Sequence, residues 1–386
     1  SSSRPRPLPG LPMRWPPPSR RRQRPRPSMQ GRFSKFWLVR MGWSSKARNR
    51  KKREDGLENG SVVKKFSNCH TVIEREKQAM CCNDYVVRIH LKTDCQNRDE
   101  LIKFCLGNPK EQYLAIGWSF LAEGTHSYTE YLRAVSEYQK SYGHRMNPAH
   151  HIFNAAREND LFWTRDMNGY YWICRAKVGA QSFCDKEKDI GAVIPVEAYL
   201  YGLEVPGQIK ASFNRPRGGT AERIYDRTIL EFSRYAFNAV SKTEKYQVEP
   251  INGNLLDNLP EFELEELVID YIQLKYNYYL LSNSIANKST TIAVECEFRS
   301  RDFLHPGRAV VQVKGGKDIA LVASTYKDFL AHGYRVFLYA PHYVKDYNGD
   351  IVYISRDDLM EFYQNYKGIL PDSITKWENL FCDIST

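Results

Sequence analysis

The sequence predicts a chain of mixed α/β and α+β class with two folded parts, and two patterns along its 386 residues support this. From residue 84 to residue 230, many short β-rich runs with few helices are typical of a small mixed β-barrel. From residue 261 to residue 386, helices and strands are expected in the order α-β-β-α-β-β-α, which is typical of an α/β sandwich. Residues 231–260 are expected to connect the two parts.

The first 60 residues differ from the rest in composition, and we expect them to be a disordered, basic tail. Nine of the 19 prolines lie in the first 27 residues, and residues 1–53 hold 17 of the 56 Lys and Arg and no Asp or Glu. Such sequence cannot bury enough apolar surface to offset its loss of conformational entropy. The remaining chain carries 39 basic against 45 acidic residues, a formal charge of −6, so the overall +11 does not indicate a nucleic-acid-binding surface on the folded parts. A tail that binds phosphate and a tail without a site of its own both remain open.

The cysteine spacing and the length of the apolar runs argue against a zinc protein, a disulfide-rich protein and a membrane protein. The 9 cysteines are odd in number and scattered, without a Cys-x-x-Cys pair, so neither zinc-site spacing nor a regular disulfide framework is present. Reduced thiols predict a cytoplasmic protein. No run approaches the ~18 apolar residues that a membrane span needs, so no membrane partner is expected.

In the first folded part, the spacing of apolar residues predicts short strands and helices. Asn168-Gly169 between two β-rich runs is a strong signal for a hairpin. Tyr131, Val135 and Tyr138 have helical spacing. The predicted strands are Tyr85–Leu91, Tyr113–Trp118, Asp160–Arg165, Tyr170–Arg175, Ala192–Val196 and Val205–Phe213, and the predicted helices are Asp99–Leu106 and Tyr128–Tyr142. A further helix, Ile224–Val240, is predicted in the connecting region.

The second folded part is expected to begin with an amphipathic helix. Leu264, Leu267, Val268 and Tyr271 would form its apolar face. Ser355, with Asp358 three residues later, is typical of a capped helix start. The predicted elements are the helices Glu263–Tyr276 and Ile319–Ala331 and the strands Thr290–Phe298, Arg308–Lys314, Tyr334–Ala340 and Asp350–Ile354.

Two of these strands carry polar residues in alternation, which indicates a candidate active site. The period of two places Glu295 and Glu297 on one face of their strand, and Gln312 and Lys314 on one face of theirs. Oxygen ligands such as these bind a hard cation, which polarises a phosphate and activates water, while a lysine stabilises the charge that develops. Glu265 on the preceding helix could supply a further carboxylate. Solvated charge pairs on an exposed strand face are the structural alternative.

This arrangement resembles the PD-(D/E)xK nuclease superfamily, and in detail its Mrr-like restriction endonucleases, over residues 261–366. The resemblance implies a restriction-endonuclease-like fold, with Glu265 as the helix acid, Glu295 as the strand acid, and Gln312 and Lys314 as the Q-x-K pair. It further implies that Glu295, Gln312 and Glu265 hold Mg²⁺. The usual Asp-Gly run is missing before the strand acid, and Glu297 leaves the choice of metal acid open.

Residues 84–230 are similar to EVE-type domains of the PUA/YTH group, on the segments 116–119, 160–165 and 205–213. The resemblance implies a pocket that binds a modified base, which enters it by flipping out of the stack. The residues assigned to base binding are Trp118, Ser119, Trp163, Arg165 and Ser212. The structural alternative is that Trp163 belongs to the core, because alternation places it on the same face as Leu161.

A reader domain joined to a nuclease domain implies a modification-dependent DNA endonuclease that uses Mg²⁺, as in defence against phage. A homodimer is expected, because restriction requires that two strands are cut. Two alternatives are a modified nucleic-acid-binding protein without catalysis and an RNA-directed nuclease or reader. The residues do not distinguish DNA from RNA, and they specify neither the base modification nor the cut position.

We predict that a chain starting at Asn83 keeps the melting temperature of the full chain, because the composition of residues 1–60 cannot support a core. Thermal unfolding of both chains, followed by circular dichroism, tests this. A large fall in melting temperature on deletion would show that the segment packs on the folded part.

Overall fold

The computed structural model describes residues 84–142, 148–215, 218–284, 294–316 and 319–383. Within these ranges the chain forms a mixed α/β fold with ten α-helices and four β-sheets. The predicted tail, residues 1–60, lies outside the described residues. None of the described helices combines the length and the apolar character needed to cross a membrane.

The first sheet has eight strands and follows the order β3-β6-β7-β5-β4-β1-β8, with β2 paired to β7 beside this path. Only β1 and β4 pair in parallel. Hydrogen bonds between the described strands leave β3 and β8 at the two ends and do not close the sheet into a barrel. The strands are β1 Val86–Ile89, β2 Gln112–Ile116, β3 Gly124–His126, β4 Leu161–Arg165, β5 Tyr171–Ala176, β6 Gln181–Asp185, β7 Ile190–Gly202 and β8 Ala221–Ile224.

The predicted hairpin is confirmed, since β4 and β5 are antiparallel neighbours joined through Asn168 and Gly169. Gly169 has a φ of 87°, a conformation that glycine adopts without strain. Five helices accompany this sheet. They are α1 Arg98–Leu106, α2 Tyr128–Tyr142, α3 Pro148–Ala155, α4 Gly207–Asn214 and α5 Arg227–Ser241.

The prediction of a strand at Val205–Phe213 is wrong, because α4 begins directly after Pro206. Ile209, Ser212 and Phe213 are its buried residues, which is the i, i+3, i+4 spacing of a helix face. The helix predicted at Ile224–Val240 starts instead at Arg227. Asp226 determines this start, because its side chain accepts hydrogen bonds from two backbone N–H groups of the first turn.

The second sheet has five strands in the order β10-β11-β12-β14-β16. The first three are antiparallel and the last three are parallel. Two small sheets pair β9 with β17 and β13 with β15. The strands are β9 Ile251–Asn254, β10 Tyr278–Leu280, β11 Cys296–Ser300, β12 Arg308–Val313, β13 Ala320–Val322, β14 Tyr334–Tyr339, β15 His342–Val344, β16 Ile351–Tyr353 and β17 Phe381–Asp383, and the helices are α6 Leu255–Asn258, α7 Glu261–Lys275, α8 Lys327–Ala331, α9 Arg356–Tyr366 and α10 Asp372–Thr375.

Two predicted elements of this part differ from the structure. The helix predicted at Ile319–Ala331 is wrong in its first half, because Ala320–Val322 pairs with β15 and a 3₁₀ turn, Ala323–Tyr326, precedes α8. The strand predicted at Thr290–Phe298 begins at Cys296, and residues 290–293 lie outside the described part of the chain. Local apolar spacing could not show either boundary, because partners distant in sequence determine both.

A single hydrophobic cluster contains side chains from both large sheets. Trp163 and Phe237 from the first part belong to it together with Phe298 and Phe337 from the second. Phe232 of α5 packs against Trp377 near the C-terminus, with ring centroids 4.7 Å apart. The two halves of the described chain therefore share a core.

A close contact between α4 and α7 lies beside the candidate site. The backbone N–H of Gly207 donates a hydrogen bond of 2.5 Å to Oε1 of Glu263. A Cβ atom at position 207 would overlap the Cβ of Phe262. Only glycine at this position allows the first turn of α4 to lie against the first turn of α7.

We predict that Gly207→Ala lowers the free energy of unfolding by about 1–3 kcal/mol, the usual cost of overpacking a filled site. Urea unfolding provides the measurement. Gly368→Ala is the matched control, because no heavy atom lies within 4 Å of a Cβ built there. Equal stability of the two variants would contradict the tight α4–α7 contact.

Candidate functional site

The register between β11 and β12 brings three of the predicted residues into contact. Cys296 lies opposite Val311, and the backbone N–H of Glu295 donates to the carbonyl oxygen of Val311 at 2.8 Å. Glu295 therefore lies beside Gln312, whose Nε2 donates to Glu295 Oε1 at 2.5 Å. Lys314 Nζ lies 3.3 Å from the same oxygen. Gln312 and Lys314, which the period of two places on one face of β12, therefore both contact the carboxylate of Glu295 on the neighbouring strand.

Glu297, the competing acid, lies two residues further along the strand. It is opposite Val310, whereas Glu295 contacts both the amide of Gln312 and the ammonium of Lys314. A separation of two strand residues is about 6.5–7 Å. The structure therefore groups Glu295, and not Glu297, with the Q-x-K pair.

The helix acid Glu265 lies in the same cavity as Glu295. This acidic cavity has a volume of about 480 Å³ and lies between α4, α7 and the start of β11. Glu265 is only 5% exposed. The carboxylates that line the acidic cavity are Glu204, Glu263, Glu265, Glu266 and Glu295.

Two further residues of the acidic cavity were not predicted from the sequence. Glu263 is 2% exposed, and its burial raises its pKa to about 7. Lys210 lines the cavity from α4, three residues after Gly207 and thus on the same side of the helix. Lys210 could not be placed there from its sequence, because residues 205–213 were predicted to be a strand.

Tyr326 is a third residue that sequence analysis missed. Burial, and then the nearby carboxylate of Glu295, raises the pKa of Tyr326 to about 12. Its hydroxyl therefore stays protonated at neutral pH and can act as a hydrogen-bond donor. Tyr326 belongs to the 3₁₀ turn before α8, within a segment predicted to be a regular helix.

The side-chain oxygens of the site are of the type that binds a hard cation such as Mg²⁺. Glu295 and Glu265 offer carboxylate oxygens, and Mg²⁺ is commonly held by one or two carboxylates together with water and substrate phosphate. Among the described residues, no group of three or more His, Cys, Asp or Glu side chains is arranged to hold a metal ion. Gln312 presents its NH₂ group to Glu295, so ligation by its oxygen requires the amide to flip.

A second cavity, of about 270 Å³, lies in the first part and is lined by Trp118. We call it the Trp118 cavity. Trp118 has a φ of 74°, which is uncommon for a residue with a side chain. Oδ1 of Asp189 holds this turn by accepting hydrogen bonds from the backbone N–H groups of Trp118, at 3.2 Å, and Ser119, at 3.1 Å. Gly191 also permits the close approach, because a Cβ there would overlap the carbonyl oxygen of Trp118.

The Trp118 cavity combines an aromatic wall with polar residues from distant loops. The ring of Trp118 packs against His150, with centroids 4.4 Å apart. Burial, and then the charge of Arg88, lower the pKa of His90 to about 4, so this lining residue is neutral at pH 7. Asp189 and Thr220 also line the cavity. No spacing in the sequence could reveal this set, because it joins five separate segments.

The other residues predicted to bind a base lie outside this cavity's lining. Trp163 is 0% exposed, and its Nε1 donates to Ser233 Oγ at 2.9 Å, which fits the structural alternative of a core residue. Ser212 is also buried and donates to the carbonyl oxygen of Ile209. Arg165 lies over the rings of Tyr171 and Phe213 and donates to Asn214. Of the five residues, only Trp118 lines the cavity, and Ser119 adjoins it through its bond to Asp189.

Comparisons with known proteins add little to this geometry. Neither a known protein family nor a curated protein matches the sequence. One solved structure, described as "MspJI Restriction Endonuclease in Complex with 27-mer Oligonucleotide", is 9% identical, with a TM-score of 0.14. The match covers 66% of this chain and 65% of that chain. At this TM-score the likeness carries no argument about fold or function.

Proposed function

We propose that the chain is a modification-dependent DNA endonuclease that hydrolyses phosphodiester bonds with Mg²⁺. The observation that carries this proposal is the contact of Gln312 and Lys314 with one carboxylate oxygen of Glu295, at the edge of a cavity that also holds Glu265. In this proposal the second part is a restriction-endonuclease-like α/β sandwich of the PD-(D/E)xK kind. The first part is a PUA/EVE-like reader domain.

The residues of the acidic cavity have distinct roles in the proposal. Glu295 and Glu265 supply oxygen ligands, and the Gln312 amide completes the set after rotation. Mg²⁺, when bound, supplies positive charge beside the scissile phosphate. Nζ of Lys314 lies 3.3 Å from Oε1 of Glu295, so its ammonium would lie close to a phosphate bound next to the cation and could stabilise the negative charge that develops on it.

In this proposal, the Trp118 cavity recognises the modified base. Every nucleobase has a π-face that can stack on an aromatic ring, and a base must leave the duplex to enter an enclosed cavity. Trp118 supplies the ring, and Asp189 and Thr220 supply polar groups at the wall. We propose DNA with a modified base as the substrate and a homodimer as the cutting form, because two strands must be cut.

One observation favours a second candidate function, a modified nucleic-acid-binding protein without catalysis. Oε1 of Glu295 already accepts a hydrogen bond from Gln312 and lies 3.3 Å from the ammonium of Lys314, so this carboxylate is paired within the chain. Incubation with Mg²⁺ and duplexes that carry different modified bases separates the two candidates, and a structured RNA in the same series tests an RNA-directed enzyme. Binding without cleavage in every case would support the second candidate.

We predict that Lys314→Ala reduces the cleavage rate by at least about 100-fold, as expected when a group that stabilises transition-state charge is removed. Affinity for the same DNA, measured without divalent ions, should stay within about twofold, because Lys314 lies in the acidic cavity's neighbourhood and not at the Trp118 cavity. Lys367→Ala is the control, since that lysine pairs with Glu378 elsewhere. Full cleavage by the Lys314 variant would contradict the assignment.

We predict that Glu295→Ala loses metal binding and cleavage, whereas Glu297→Ala retains measurable cleavage at raised Mg²⁺. The physical reason is that only Glu295 contacts both Gln312 and Lys314. Calorimetric titration of both variants with Mn²⁺ or Ca²⁺ provides the measurement. The reverse result, with metal lost only in the Glu297 variant, would assign the metal to the other acid of the strand.

A further inference from the structure

An open groove of about 1110 Å³ lies between α3 and β8, the strand at one end of the first sheet. We call it the β8 groove. Gly218 and Gly219 line both this groove and the Trp118 cavity, so the two spaces adjoin along one stretch of backbone. If a base is inserted in the cavity, the nucleic-acid strand that carries it must continue along a neighbouring surface of the protein. The side chains that line the β8 groove include His151, Ile152, Arg215, Glu222, Arg223 and Tyr225.

The charges of the β8 groove do not cancel. Glu222 accepts from the buried Arg88 at 2.7 Å and also pairs with Arg215. Arg88 is buried and does not line the groove, so the lining charges are those of Arg215, Arg223 and Glu222, which leave one positive charge in excess. Arg88 also donates to the carbonyl oxygen of Gly219 at 2.5 Å, which fixes the backbone shared with the Trp118 cavity.

Aromatic rings accompany these charges. Tyr225 is 73% exposed, so its ring is accessible to a ligand in the groove. Its ring meets Tyr85 edge-on, with centroids 5.3 Å apart, and Arg223 lies 5.1 Å from the centre of the Tyr85 ring. Tyr85 is half-buried and does not line the groove, so Tyr225 is the exposed ring beside these charges. Positive charge beside an exposed aromatic ring is a combination by which proteins bind single-stranded nucleic acid.

We propose that the β8 groove binds the sugar-phosphate backbone and one unstacked base of the strand that flanks the base held in the Trp118 cavity. This inference rests on the proposed function, because it assumes that the cavity takes a base. Arg223 contacts a phosphate, and Tyr225 stacks on the neighbouring base. In this proposal, contacts in the groove contribute affinity and orient the nucleic-acid strand, whereas the cavity determines the preference for a modified base.

The test uses the full chain and an unmodified single-stranded DNA of about 16 nucleotides, with affinity measured by fluorescence anisotropy between about 50 and 200 mM salt. Arg223→Gln should weaken binding about tenfold at the lower salt concentrations and reduce the salt slope by about one, the value for one lost phosphate contact. Tyr225→Ala should weaken binding about tenfold, whereas Tyr225→Phe keeps the ring and the affinity. Arg227→Gln is the matched control, since Arg227 pairs with Glu249 and does not line the groove.

The melting temperature of each variant shows whether it is folded. Substitution of Tyr225 is expected to disturb the fold less than substitution of Arg223, because Tyr225 is exposed. Wild-type affinity and salt slope in both Arg223→Gln and Tyr225→Ala would overturn the groove assignment while leaving the proposed function intact. A wild-type chain that binds neither DNA nor RNA would overturn both. A loss in the groove variants that is equal for modified and unmodified DNA supports the groove as a backbone contact.

Discussion

The pairing of β11 with β12 is the constraint on which the candidate active site depends. With Cys296 opposite Val311, the carboxylate of Glu295 meets the amide of Gln312 and the ammonium of Lys314. A slip of one residue would turn every side chain of β11 to the opposite face of the sheet. The apolar residues of both strands prevent such a slip, because it would expose them to water.

The helix α4 links this site to the rest of the chain. Its first turn lies against α7 through the hydrogen bond from Gly207 to Glu263, so Lys210 borders the acidic cavity. Its last residue, Asn214, is followed by Arg215 in the β8 groove. The helix α4 therefore lies between the groove proposed to bind a nucleic-acid strand and the cavity proposed to contain the cleavage site. The two proposed sites belong to one packed structure, since both halves of the described chain share a hydrophobic core.

The tryptophans show why residue type alone does not identify a binding residue. Trp163 and Trp118 were both candidates for a base-stacking wall. Trp163 lies on an inward-facing strand position and satisfies its N–H with Ser233, so it serves the core. Trp118 lies on a turn with positive φ, where Asp189 holds the backbone and the ring borders a cavity. The difference arises from Asp189, which is about 70 residues away and carries no local signal.

The sequence by itself determined most strands and long helices, the hairpin at Asn168-Gly169, and the face that Gln312 shares with Lys314. These follow from local rules, because the period of two or 3.6 and the turn residues depend only on near neighbours. Tertiary structure decided that Glu295 and not Glu297 contacts Lys314, that α4 is a helix, and that Asp189 and His90 border Trp118. Each of these depends on packing between segments far apart in the chain, which no local period can encode.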